Sequence, residues 1–209
     1  MSVTPAFQDI RMQADALLFD LGGVVVPWVG IKEMAKMTGK PEGVVLETLH
    51  QDTPYLAFET GEISSEVFLP TLMAYLQVDL TIDEVTSLWK SWVLAPYDSV
   101  LEAMNRLTST HVLGCLSNTN TPHWERLTSF FCPDQLFDYA FASHHIGAAK
   151  PDEQAYAIAL DRLGMHANQV LFFDDSHQNI EQARALGFQT CHVDSCKGVL
   201  GDLKRLQLI

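Results

Sequence analysis

Residues 16–26 read ALLFDLGGVVV. Ala16 to Phe19 form a short apolar run, Asp20 ends it, and the adjacent glycines Gly22 and Gly23 follow before the chain turns apolar again. A short apolar run bounded by glycine has the signature of a strand buried on both faces. Ending such a strand on a carboxylate is costly unless the acid has a partner or a task. Glycine just beyond it lets the backbone turn sharply and lets other groups approach closely. The stretch therefore predicts a strand that delivers one acid to the edge of a sheet.

Four further runs read the same way: HVLGCLS (111–117), YAFAS (139–143), VLFFDD (170–175) and FQTCHV (188–193). From the second onward helical patterns separate them, which predicts an α/β fold, a doubly wound parallel sheet covered on both sides. Thr121 followed by Pro122 predicts an N-cap with proline in the first turn. The helices EQAYAIALDRLG and NIEQARALG close on Gly164 and Gly187.

The interval 28–98 is far longer than the usual αβ connection of about 2–6 residues. It reads as helix throughout. Thr81 and Glu84 make a capping box ahead of a stripe formed by Val85, Leu88, Trp89 and Trp92. Val67, Phe68, Leu72, Tyr75 and Leu76 make another. The expected organisation is a core domain built from 1–27 and 99–209, with 28–98 inserted as an all-helical cap over the sheet's carboxyl edge. The apolar stripes are expected to be the cap's own core.

Bulk properties narrow the function classes. The 209 residues suit one domain with a modest insertion. A net charge of -13, from 26 acids against 13 Lys and Arg, argues against nucleic acid or an anionic membrane as partner. An acidic chain that handles an anionic substrate needs a local cation. MSVTPAFQDIRMQAD has no apolar centre and reads as neither secretion signal nor transit peptide, and no run approaches the ~18 residues of a membrane helix. The cysteines, Cys115, Cys132, Cys191 and Cys196, lack zinc spacing and read as reduced thiols of a cytoplasmic protein. The histidines are scattered, and oligomeric state leaves no mark.

Open parallel sheets bind ligands outside the carboxyl ends of their strands. Four such ends carry chemistry here. The first ends at Asp20, the second in LSNTN with Ser117 and Asn118, the third leads to GAAKPD with Lys150, and the fourth ends in Asp174 and Asp175. Each alone has a bland reading as a turn, a cap or a solvated loop. In this order they suit phosphoryl transfer: a carboxylate can attack phosphorus, while hydroxyl, backbone N–H and lysine donors hold phosphate oxygens. Three clustered carboxylates call for a hard cation, and Mg2+ takes one or two carboxylates plus phosphate and water.

FDLGGVVV, FETGEIS, LSNTN, AAKPDEQAY and FFDDSHQNIEQARALG together resemble the haloacid dehalogenase superfamily, over nearly the whole chain. Within it the chain is most similar to glucose-1-phosphate phosphatase-like members and to the phosphatase domain of soluble epoxide hydrolases. The resemblance implies that Asp20 is the nucleophile and forms an aspartyl phosphate. It implies that Asp20, the Gly22 carbonyl and Asp175 hold Mg2+, with Asp174 orienting metal-bound water. Ser117 and Asn118 are then the phosphoryl binders, Lys150 pairs with Asp20 and the phosphate, and VVVPW forms a flap toward the cap. The implied substrate is a small phosphorylated metabolite, with a sugar phosphate such as glucose 1-phosphate favoured.

One position departs from that family. Most of its phosphatases carry a second aspartate two residues after the nucleophile, as general acid and base, and this chain has Gly22. Three readings follow: a leaving group that needs little protonation, which is favoured; a substitute such as His123, Glu125 or a cap residue; or a catalytically weak protein that only binds phosphate or metal. A metal-independent haloacid dehalogenase, a phosphomutase and a receiver-type signalling domain fit the motifs less well. Trp28 and the loops around Tyr55–Glu59 are candidates for the pocket wall.

Overall fold

The computed structural model describes residues 14–51 and 53–209; the N-terminal dozen, which no family motif covers, lie outside the described residues. Among the described residues the sheet has five strands, β1 (Ala16–Phe19), β2 (Val112–Ser117), β3 (Tyr139–Ala142), β4 (Val170–Asp174) and β5 (Gln189–His192). They run parallel in the order β3-β2-β1-β4-β5. Every strand lies within a run that the sequence marks.

β1 is central and buried along its whole length, which explains its unbroken apolar character. Alternate residues face opposite layers. Leu17 and Phe19 join one core with Leu113, Cys115, Leu171 and Phe173, whereas Ala16 and Leu18 join the other with Leu116, Val170 and Phe172. Phe19 is level with Cys115 and Phe173, and its ring stacks on Phe173 at 4.7 Å. This register brings the carboxyl ends of β1, β2 and β4 to one edge.

Five helices among the described residues follow β1: α1 (Gly30–Thr38), α2 (Glu42–Gln51), α3 (Tyr55–Glu59), α4 (Ser65–Leu76) and α5 (Ile82–Ser91). Then α6 (Val100–Leu107) leads into β2, and α7 (Thr121–Thr128) and α8 (Pro133–Leu136) separate β2 from β3. α9 (Ser143–Ile146) and α10 (Glu153–Leu163) precede β4, α11 (His177–Ala185) precedes β5, and α12 (Leu200–Arg205) follows it. None of the helices among the described residues is long and apolar enough to cross a membrane.

α1 to α5 enclose a core of their own around Trp89, with Met34, Phe58, Phe68, Leu72 and Val85. The two chain crossings between this layer and the sheet run side by side: Trp28 bridges Val93, and the Leu94 N–H donates to the Pro27 carbonyl at 3.0 Å. The Thr81–Glu84 capping box forms as expected.

Two local expectations are corrected. The N-cap of α7 is Asn120, whose side chain accepts from the His123 N–H, so Thr121 is the first helical residue. Asparagine's carbonyl reaches that N–H and leaves threonine no capping role. On α4 the buried stripe is Phe68, Leu69, Leu72 and Leu76, while Val67 is 57% exposed, because it lies one residue off the i, i+4 row. Within VVVPW, Pro27 and Trp28 run beside Val93 and Leu94, while Val24 to Val26 fold inward. The valine N–H groups turn back on the Leu21 carbonyl, and their side chains are buried in the core.

Candidate active site

β1 and β4 deliver the acids. Asp20 is the first residue past β1, and its N–H donates to the Phe173 carbonyl at 2.8 Å, which fixes it beside the end of β4. Asp174 is the last residue of β4 and Asp175 the next. One carboxylate oxygen from each of Asp20, Asp174 and Asp175 lies within 4.8 Å of the other two. Lys150, from the loop between α9 and α10, reaches into the group with its side chain 1% exposed. Its Nζ is 2.6 Å from Asp174 Oδ2 and 3.1 Å from Asp20 Oδ1.

Asp174 is fully buried and fully engaged. Besides Lys150 it accepts from the Ser176 N–H at 2.7 Å and from Asn179 Nδ2 at 3.1 Å. Asp20 and Asp175 are not compensated to the same degree. Burial, reinforced by the charges of Asp174 and Asp175 and opposed by Lys150, raises Asp20 to about 7. Burial and then Asp174 raise Asp175 to about 6. Burial alone lowers an ammonium, but Asp174 and Asp20 outweigh it and hold Lys150 above its usual range. Three acids facing one ammonium leave a surplus of negative charge on hard oxygen donors, a set that fits Mg2+.

The glycines divide their work. Gly23 has φ +74°, and a Cβ there would collide with the Asp175 carboxylate. Gly22 has no such constraint, since a Cβ would meet only Trp28 Cβ at 3.6 Å. The close approach expected of both glycines therefore falls on Gly23. Trp28 backs Gly22, and its buried indole N–H has no hydrogen-bond partner among the described residues.

Ser117 ends β2 and is buried. Asn118 uses its side chain on the neighbouring loop: Nδ2 donates to the Lys150 carbonyl and Oδ1 accepts from the Lys150 N–H, both at 2.8 Å. The amide that looks like a phosphate binder in the sequence thus clamps the lysine loop.

The substitutes considered for the missing acid separate clearly. His123 is buried, stacks on Trp89 at 4.7 Å, and its Nε2 donates to the Trp89 carbonyl at 2.9 Å. With Nε2 carrying the proton, Nδ1 accepts from Asn120 Nδ2 at 3.3 Å. Burial lowers its pKa to about 4. It latches α7 to α5 as a neutral ring. Glu125 is exposed and pairs with Lys90 at 2.6 Å.

The helical layer of α1 to α5 holds a buried acid of its own. Glu59, the last residue of α3, is only 5% exposed. Its carbonyl accepts from Ser143 Oγ at 2.6 Å, and Ser143 Oγ also accepts from the Thr119 N–H at 2.8 Å. Ser143 directly follows Ala142, the register partner of Ser117. Glu59 thus sits over the ends of β2 and β3. Burial raises its carboxyl to about 7, against a hydrogen bond from Tyr55 and the charge of Lys150, with Asp20 adding to the rise. In the sequence the loops around Tyr55–Glu59 are candidates for the pocket wall, and the substitute acid stays an unnamed cap residue. A lone acid in a helical cap has no strand end to mark it.

A model of the haloacid dehalogenase-like hydrolases matches residues 31–193. Phosphatase MT3486 of Mycobacterium tuberculosis is 30% identical over 215 residues, 95% of this chain and 97% of its own. D-ribitol-5-phosphate phosphatase of Bacteroides thetaiotaomicron is 25% identical over 183 residues, 83% of this chain and 89% of its own. Acyl-CoA dehydrogenase family member 10 of Mus musculus is 26% identical over 202 residues, 91% of this chain, which spans 19% of that longer protein. The magnesium complex of BT-2542, from Bacteroides thetaiotaomicron, has the same fold, with a TM-score of 0.77 at 22% identity over 92% of this chain and 99% of its own.

Proposed function

The chain belongs to the haloacid dehalogenase-like hydrolases and is a phosphatase-type hydrolase, and we propose that it removes phosphate from a small phosphorylated metabolite in a Mg2+-dependent reaction through Asp20. The observation that carries this reading is the convergence of Asp20, Asp174, Asp175 and Lys150 at one sheet edge, with carboxylate oxygens within 4.8 Å of one another.

Asp20 is the nucleophile in this reading. Its position at the tip of the central strand aims the carboxylate out of the sheet, and Lys150 orients it and opposes the burial that raises its pKa. Attack on phosphorus forms the aspartyl phosphate, splitting one difficult displacement into two. Ser117 and the Asn118 main chain bind the transferring oxygens, and Lys150 offsets the charge that develops there. Asp20, the Gly22 carbonyl and Asp175 would hold Mg2+, which supplies charge neutralisation and phosphate orientation when bound. Asp174 anchors Lys150 and borders the same cation site. α1 to α5, residues 28–98, act as a cap domain that shields the reaction from bulk water and selects the leaving group.

The substrate class is sugar phosphates, in keeping with the name of the D-ribitol-5-phosphate phosphatase relative. Glucose 1-phosphate is the case whose leaving oxygen asks least of an acid. The test is phosphate release from a panel that pairs glucose 1-phosphate with glucose 6-phosphate. Activity should vanish with a chelator, return with Mg2+, and be absent in Asp20→Asn. Gly22 favours a second reading, a protein that binds phosphate without turnover. Release that is indifferent to Asp20 or to Mg2+ would leave that reading standing.

A further inference from the structure

The geometry points to Glu59 as the side chain that protonates the leaving oxygen and then activates water, the task for which position 22 has no side chain. This rests on the phosphatase reading above and names a residue that reading leaves open.

The direction of the reaction decides where such a group must stand. The attacking and leaving oxygens lie roughly in line on opposite sides of phosphorus. With Asp20 attacking from the sheet edge, the leaving oxygen points to the cap. Water enters later along the path the leaving group vacates, so one group on the cap side can serve both steps. Glu59 is a cap residue brought to that place by its own backbone: Ser143 ties its carbonyl to the Thr119 loop next to Ser117 and Asn118. Gly61 fixes the same segment, because a Cβ there would lie 2.5 Å from the His144 carbonyl.

Tyr55 hydrogen-bonds the Glu59 carboxyl from its own helix, and Lys150 and Asp20 act on it from the core. Ser143 holds the main chain, and His144 borders the segment through its carbonyl. Burial raises the carboxyl to about 7, so near neutral pH it can both give up and take back one proton.

The steps balance. Asp20 attacks phosphorus, the bond to the leaving oxygen breaks, and that oxygen takes the Glu59 proton to leave as an alcohol. Glu59, now a carboxylate, accepts a proton from water as the water oxygen attacks the aspartyl phosphate. The bond to Asp20 breaks, inorganic phosphate departs, and Glu59 is again neutral.

Glu59→Gln keeps the shape and the hydrogen-bond acceptor for Tyr55 but holds no transferable acid proton. With glucose 6-phosphate, whose alkoxide leaving group needs protonation, kcat should fall about 10²–10⁴-fold. With p-nitrophenyl phosphate, whose leaving group does not, the variant should release about one nitrophenol per active site and stall. The stalled protein should carry a phosphoryl group, seen by intact mass after acid quench. Adding Gly22→Asp should restore turnover, since position 22 has room for a Cβ. Wild-type rates in Glu59→Gln, or equal losses on both substrates without a burst, overturn the assignment of Glu59 alone. Absence of Asp20-dependent phosphate release from the wild type overturns the phosphatase reading as well.

Discussion

Lys150 Nζ lies 2.6 Å from Asp174 Oδ2, and neither side chain is more than 1% exposed. An ion pair so placed is held by mutual need. Removing one partner leaves the other charge buried, at a cost of about 3–5 kcal/mol. Lys150→Met should destabilise the fold by about that amount in urea denaturation at pH 7. Lys150→Met combined with Asp174→Asn should recover part of it, because the second change removes the orphaned charge. A double variant less stable than the sum of its singles would show that the pair does not act as a unit.

Asp20 should reveal itself in stability as well as in turnover. Its folded pKa of about 7 stands above the ordinary 3.8, so its favourable contribution is complete below 3.8 and is lost as pH rises through 7. Asp20→Asn removes that loss. Without divalent ions the variant should therefore melt above the wild type at pH 8, by a few kcal/mol at most at about 1.4 kcal/mol per unit. Mg2+ at millimolar concentration should reverse the order, since a cation favours the ionised wild-type cluster. Thermal melts of both proteins with and without Mg2+ are the check. A wild type that gains no more from Mg2+ than Asp20→Asn would remove Asp20 from the cation site.

The two glycines give opposite expectations. Gly23→Ala meets both a positive φ and the Asp175 carboxylate, so it should cost at least 1–2 kcal/mol and weaken any response to Mg2+. Gly22→Ala places its methyl at ordinary contact distance from Trp28 and should leave stability within about 0.5 kcal/mol of the wild type. Circular dichroism melts of the pair distinguish them. Equal destabilisation would contradict the division of roles.

The sheet and the order of its motifs are legible in the sequence because strands buried on both faces must be continuously apolar, so Asp20 and Asp174 stand out as interruptions. The α7 cap is misplaced by one residue because Asn120 and Thr121 are both good capping residues, and only the reach to the His123 N–H decides between them. Asn118 looks like a ligand binder until its amide is seen closing on Lys150. Glu59 is legible only as part of a candidate pocket wall, not as a buried acid, for a different reason. Its environment is assembled from Ser143, Tyr55 and Lys150, residues up to 91 positions away, and no local pattern encodes that meeting.

Glu59 also carries a pH signature separable from that of Asp20. Its folded pKa of about 7 exceeds the ordinary 4.5, so the stability it contributes is present below 4.5 and disappears as pH rises through 7. Glutamine at this position stays neutral and keeps the Tyr55 contact. Glu59→Gln should thus be more stable than the wild type at pH 8, by about 3.5 kcal/mol at most, with the gap closing as pH falls toward 4.5. Since Glu59 lies outside the carboxylate cluster of Asp20, Asp174 and Asp175, part of this gain should persist when Mg2+ is present, whereas that of Asp20→Asn should not. Urea titrations of the three proteins at pH 5 and pH 8, with and without Mg2+, resolve the two acids. A Glu59→Gln protein less stable than the wild type at pH 8 would mean that the carboxylate is held by attractive partners, and that it rests ionised in the folded chain.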